Sequence, residues 1–221
     1  MLHVILLHGL GAHGITLTMF ENHVQNLGAK GYVCSYLTFF NKIEKITESV
    51  LSFMKINIPT NDPVVIIGHS LGGIIARHVS SRSTHNIKTI LTLGTPHDGA
   101  ILANTIFKIL PPVKMITIVR QLSKNSSHIR TCPHIPEHIR HVNIIGLKKV
   151  DWINPINWIT GLLLRREESH DGVVEYTSCI ATRNDAIHEV DISHIGMLFS
   201  NTVERIISDE IYRIMKQENL I

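Results

Sequence analysis

The 221-residue sequence is short of charge, of cysteine and of long apolar runs, and each shortage removes a class of protein. Charged residues make up 18% of the chain against 44% hydrophobic ones, and mean hydropathy lies just above zero. A disordered chain needs the opposite balance, so this one is expected to fold. The longest apolar stretch, Trp158 to Leu164, falls far short of the roughly 20 residues that cross a bilayer, and no transmembrane helix is expected. Cys34, Cys132 and Cys179 lie far apart with no CxxC pair, which argues against a disulfide framework or a cysteine metal site and suits a reducing compartment. The opening MLHVILLHGL has neither a basic n-region nor a small-residue cleavage site, so it reads as a first strand and a cytoplasmic location is expected. Net charge is +3 without a Lys/Arg stripe, so nucleic acid is not an expected partner. Histidine is the one excess, with 15 copies.

What is present is an alternation of strand and helix patterns. β-branched apolar runs at His3 to Leu7, Tyr32 to Phe39, Pro63 to Ile67, Ile87 to Leu93, His141 to Leu147 and about Ala186 to Val190 read as six strands. Helical spacing separates them: Leu17, Phe20, Val24 and Leu27; Ile43, Ile46, Val50, Phe53 and Met54; Leu71, Ile74, Ile75 and Val79; and finally Val203, Ile206, Ile207, Ile211 and Ile214. Parallel neighbours need crossover helices that cover both faces, so the expected class is α/β with a mostly parallel sheet in one domain, 1–221. From Gly99 to about Pro136 the rhythm breaks, and that interval is expected to be a helical, lid-like insertion above the sheet.

Gly68-His69-Ser70-Leu71-Gly72-Gly73 follows a strand pattern and opens a helix pattern. A nucleophile elbow strains the serine backbone so far that the residues two away must lack bulk, and Gly68 and Gly72 occupy those positions. A serine hydroxyl needs a base to take its proton and an acid to orient that base. His194, after the last strand pattern and before the closing helix, is the expected base, with His188 as competitor. Asp171, in the Asp-Gly-Val-Val turn, is the expected acid, with Asp151, Glu175 and Asp185 as alternatives. The oxyanion of an acyl-transfer intermediate needs two backbone N–H donors. Leu71 supplies one by position, and Leu10, in His8-Gly9-Leu10-Gly11 after the first strand, is the expected second.

The segments LLHGLG (6–11), VVIIGHSLGG (64–73), TLGTPHDGA (92–100), DGVV (171–174) and SHIGMLFS (193–200) resemble an α/β-hydrolase of the lipase/esterase type, close in pattern to small bacterial triacylglycerol lipases. The resemblance implies Ser70 as nucleophile, His194 as base, Asp171 as orienting acid, and Leu10 and Leu71 as oxyanion donors. It makes His97 a wall residue of the site. The expected reaction is carboxyl-ester hydrolysis through an acyl-enzyme, on an ester or lipid substrate, with no cofactor. No metal is expected either, although Asp191 stands three residues before His194. A thioesterase or acyltransferase would use the same triad, and a non-catalytic scaffold protein is the more distant alternative. The apolar segment 152–164, ending at Arg165 and Arg166, is a candidate for peripheral membrane contact. Oligomeric state is not legible.

Overall fold

A computed structural model describes residues 1–38, 40–100, 116–124, 126–149 and 169–221. The elements among them run β1 (His3–Leu7), α1 (Thr18–Asn26), β2 (Lys30–Cys34), α2 (Ile43–Asn57), β3 (Val64–His69), α3 (Leu71–Ser80), β4 (Ile87–Leu93), α4 (Ile116–Leu122), α5 (Ser127–Arg130), β5 (Arg140–Gly146), α6 (Tyr176–Cys179), β6 (Ala186–Val190) and α7 (Asn201–Gln217). The strands form one parallel sheet in the order β2-β1-β3-β4-β5-β6. This is the α/β-hydrolase architecture expected from the sequence.

Continuous apolar strands bury both faces. Ile5, Leu7, Val64 and Ile66 point to one side, where α2 and α3 add Ile46, Val50, Met54, Ile74 and Ile75. Val4, Leu6, Val65 and Ile67 point to the other, against Phe20 and Val24 of α1 and Val203, Ile207 and Ile211 of α7. Burying one such side chain contributes about 1.5–3 kcal/mol, so the two layers hold the sheet between them. Ser200 caps α7 by accepting the Val203 N–H, and the Gln121 side chain does the same for the first N–H of α2, at Ile43.

Two expectations need adjustment. The second strand was expected at Tyr32 to Phe39, but β2 starts at Lys30 and stops at Cys34. Beyond Cys34 the backbone turns to side chains instead of a neighbouring strand: the Tyr36 N–H donates to His8 Nε2, and Thr38 Oγ1 accepts the Gly11 N–H. β3 runs past Ile67 through His69, which delivers the strand directly into the elbow. Of the expected insertion, α4 and α5 are helical; residues 101–115 lie outside the described residues, as does the candidate membrane segment 152–164 together with Asp151.

Parallel strands end on the same edge, and the loops that leave this edge gather the chemistry. His8–Gly11 follows β1, Ser70 follows β3, Gly94–His97 follows β4, Asp171 comes after β5 and His194 after β6.

Candidate active site

Ser70 sits at φ 54°, ψ −121° between β3 and α3, a left-handed conformation shared among described non-glycine residues only with Asn219. Such strain costs of order 1–3 kcal/mol and persists where surrounding contacts impose it. Here they are close. The Ser70 N–H donates to the Leu93 carbonyl at 2.9 Å, and its own carbonyl accepts from Thr95 Oγ1 at 3.1 Å. A β-carbon at Gly68 would lie 2.5 Å from the Gly73 nitrogen, one at Gly72 would overlap the Leu7 carbonyl, and one at Gly73 would overlap the Thr95 side chain. The two expected elbow glycines are therefore required by contact, and Gly73 joins them. Ser70 itself is half-buried, while His69 and Leu71 on either side are buried.

The loop after β1 passes against this turn. A β-carbon on Gly9 would be 3.0 Å from Ser70 Cβ, so the turn that precedes Leu10 lies against Ser70. His8 braces the loop from below: its Nδ1–H donates to the Gly9 carbonyl at 3.0 Å, its Nε2 accepts from Tyr36, and its ring stacks on the Tyr36 ring at 4.1 Å. Burial lowers the His8 pKa, which keeps the ring neutral and able to do both. Leu71, the first residue of α3, follows Ser70 directly and is buried.

Asp171 and His194 meet. The His194 Nδ1–H donates to Asp171 Oδ2 at 2.6 Å, with the two side chains only 6% and 1% exposed. The other carboxylate oxygen accepts the Val173 and Val174 N–H groups at 2.9 and 2.8 Å, and the Asp171 carbonyl accepts the His194 N–H at 2.9 Å. The Asp-Gly-Val-Val turn thus fixes Asp171 and His194 with one another. Gly94, with φ 54°, makes room for them: a β-carbon there would stand 2.7 Å from Asp171 Oδ2 and 2.8 Å from His194 Nδ1. Of the alternatives, His188 lies half-buried within β6 opposite Ile144. Asp185 pairs with Arg183 and the His141 N–H. Glu175 stands at the start of α6. Asp191 is exposed, and among the described residues no group of three potential metal ligands occurs.

A second polar cluster was not anticipated. The Arg77 guanidinium of α3 is buried and donates to the carbonyls of His97, Cys132 and Pro133, joining the two ends of the insertion. His97, the expected wall residue, is 3% exposed, receives an N–H of Arg77 on Nδ1 and faces Thr92 with Nε2. Thr92 continues to His141 Nε2 at 2.8 Å and Asn143 Oδ1 at 3.1 Å. Burial, before any neighbouring charge, pushes His97 well below the usual histidine range and His141 down to about 4. Gly94 and His97 were visible in TLGTPHDGA, but Gly94 meets Asp171 and His194 from distant loops and His97 meets Arg77 from α3.

The family model described as PGAP1-like alpha/beta domain matches residues 33–214. A GPI inositol-deacylase of Candida albicans is 41% identical over 61 residues, which is 26% of this chain and 15% of that protein. A triacylglycerol lipase of Pseudarthrobacter phenanthrenivorans is 29% identical over 123 residues, 48% of this chain and 37% of the lipase. The matched stretch therefore spans well under half the length of either relative. The crystal structure of a mature Bacillus licheniformis lipase superposes with a TM-score of 0.68 at 16% identity, covering 92% of this chain and 89% of that one, which is a likeness of fold. Among the described residues no helix is long and apolar enough to cross a membrane.

Proposed function

Because the chain belongs to the PGAP1-like alpha/beta domain family, we propose that this lipase/esterase-type hydrolase cleaves carboxyl esters with Ser70 as nucleophile, His194 as base and Asp171 as orienting acid. The observation that carries the proposal is the buried 2.6 Å Asp171–His194 pair on the same sheet edge as the strained Ser70. With its Nδ1 proton committed to Asp171, His194 keeps an unprotonated Nε2. That nitrogen takes the Ser70 proton as Oγ attacks the acyl carbon, and the oxyanion is held by the N–H groups of Leu71 and Leu10. Collapse of the tetrahedral intermediate breaks the acyl–oxygen bond, and His194 returns the proton to the departing alcohol. Water, deprotonated by the same nitrogen, then attacks acyl-Ser70; the Oγ–acyl bond breaks, His194 returns the proton to Ser70 Oγ, and the acid leaves.

The two relatives' names, an inositol-deacylase and a triacylglycerol lipase, differ in the alcohol and share an acyl ester as the bond at issue. That common element favours a lipid acyl ester over a thioester as substrate, and hydrolysis over a purely structural use of the scaffold. Fluorophosphonate labelling of the native chain against Ser70→Ala, followed by turnover of p-nitrophenyl esters of increasing chain length, tests the reading. Labelling and turnover are expected to disappear in Ser70→Ala, with long acyl chains preferred in the native chain. Equal labelling of both proteins would reject Ser70 as nucleophile.

A further inference from the structure

We propose that His69 is a positioning residue for this reaction: its Nε2–H, held on the main-chain carbonyl of His194 at 3.0 Å, ties the base loop to the nucleophile elbow. The inference rests on the serine-hydrolase reading and adds a residue to it.

His194 is held at three polar points. Its N–H and its Nδ1–H both go to Asp171, and these bonds fix base against acid. Neither relates the base to Ser70, which lies on a segment more than a hundred residues earlier. The third point, the carbonyl, goes to the residue that immediately precedes Ser70. Whatever moves the elbow therefore carries the His194 backbone with it. The contact is also one of surfaces, because the two rings pack with centroids 4.6 Å apart, tilted by 49°.

The chemistry of the ring fits a fixed donor. A carbonyl only accepts, so Nε2 must carry the proton and Nδ1 must be bare. Nδ1 is buried, faces Gly9 and has no hydrogen-bond partner among the described residues. An orphaned buried nitrogen is a cost that an apolar side chain of similar size would avoid. The imidazole makes physical sense here through its other nitrogen. Burial and then the neighbouring His194 push the His69 pKa down to about 3, with Asp171 opposing and His8 adding weakly. The ring therefore stays neutral beside a base that becomes cationic during turnover. A displacement of about 1 Å in such a site can cost about 10²-fold in rate, which sets the scale of the tie.

His69→Met and His69→Gln separate this role from packing, since the two side chains match in length and only glutamine carries an N–H able to reach the carbonyl. Both are compared by thermal melting, and kcat for a p-nitrophenyl ester is expressed per fluorophosphonate-titrated Ser70, so unfolded protein does not register as slow enzyme. His69→Met is expected to lose about 10- to 100-fold in kcat with KM within about twofold, and His69→Gln to recover to within about fivefold of native. Native kcat in His69→Met, or equal losses in both variants, overturns the tie while leaving Ser70-dependent labelling intact. Absence of that labelling in the native chain removes the hydrolase reading and this proposal with it.

Discussion

His194 and His97 are almost equally buried, at 4% and 3% exposed, yet a carboxylate grips one ring and a guanidinium faces the other. The difference extends to every nitrogen around them. Asp171 occupies only Nδ1 of His194. In the second cluster Arg77 and Thr92 take both nitrogens of His97, while Thr92 and the Arg183 carbonyl take both of His141. A ring with one free nitrogen and an anion behind it can accept a proton and hold the charge. A ring with both nitrogens bonded, no carboxylate on it and a cation nearby has neither the site nor the stabilisation. In a chain with 15 histidines, a buried position is no guide to catalysis; the partners are.

The comparison is broken most severely by removing the anion. Asp171→Asn retains a carbonyl oxygen that can accept from Val173 and Val174, so the turn should fold. If its amide faces His194, it donates to Nδ1 and drives the ring proton to Nε2. The base is then lost with the geometry nearly intact, and kcat is expected to fall on the order of 10⁴-fold. Steady-state turnover per folded molecule checks it, and a loss below about tenfold would show that Asp171 does not orient the base.

Gly94→Ala tests whether space, rather than charge alone, distinguishes the first cluster. The new methyl would press on Asp171 Oδ2 and His194 Nδ1 in a backbone conformation that alanine disfavours. A loss of about 10²-fold in kcat is expected, with about 1–2 kcal/mol of stability. Native turnover in this variant would mean that the pair can shift without penalty.

Arg77→Met addresses the other side of the comparison. It removes a cation that serves the carbonyls of His97, Cys132 and Pro133 and touches no member of the proposed triad. Leaving those carbonyls unsatisfied is expected to cost about 2–3 kcal/mol, a fall of roughly 5–10 °C in melting temperature for a chain of this size. Turnover per titrated serine should stay near native. A large fall in turnover without loss of stability would make Arg77 part of the catalytic apparatus.

How much of this was legible beforehand follows from how local each feature is. The elbow is six consecutive residues whose glycines flank the serine they serve, and the strand and helix around it have clear periods, so Ser70 could be placed from the sequence. Asp171 and His194 could be proposed because each sits in its own short turn near a strand end. The end of β2 was misjudged because Tyr36 and Thr38 look like strand residues and are captured by His8 and Gly11, partners 28 and 27 positions away. Gly94 was seen only as part of a segment, since its need for glycine arises from Asp171 and His194. Arg77 and His141 lie in no motif, and Thr92 stands only at the edge of TLGTPHDGA. Their pairing depends on the register of β4 against β5, which apolar patterning leaves open.

The finest distinction between the clusters is in proton binding. His141 has a pKa of about 4 in the folded chain against about 6.5 when exposed. The unfolded chain therefore takes up the proton first, so its contribution is complete above about pH 6.5 and is lost as pH falls towards 4. Each such histidine adds a slope of about 1.4 kcal/mol per pH unit within that window. His8, His69, His78 and His97 are also lowered and add to the native slope. The carboxylates held low, Glu44, Asp62 and Glu210, contribute in the same sense but at lower pH, with stability lost only as pH falls below their unfolded values of 4.5 for the glutamates and 3.8 for the aspartate. Measurement between pH 6.5 and 5 therefore isolates the histidines. His141→Asn should be less stable than native at pH 7, having lost its bonds to Thr92 and Arg183, yet its stability should fall less steeply with acid by about one proton. Parallel denaturation curves over that range would show that His141 is not held neutral by burial, and the contrast with His194 would then lie in bonding geometry alone.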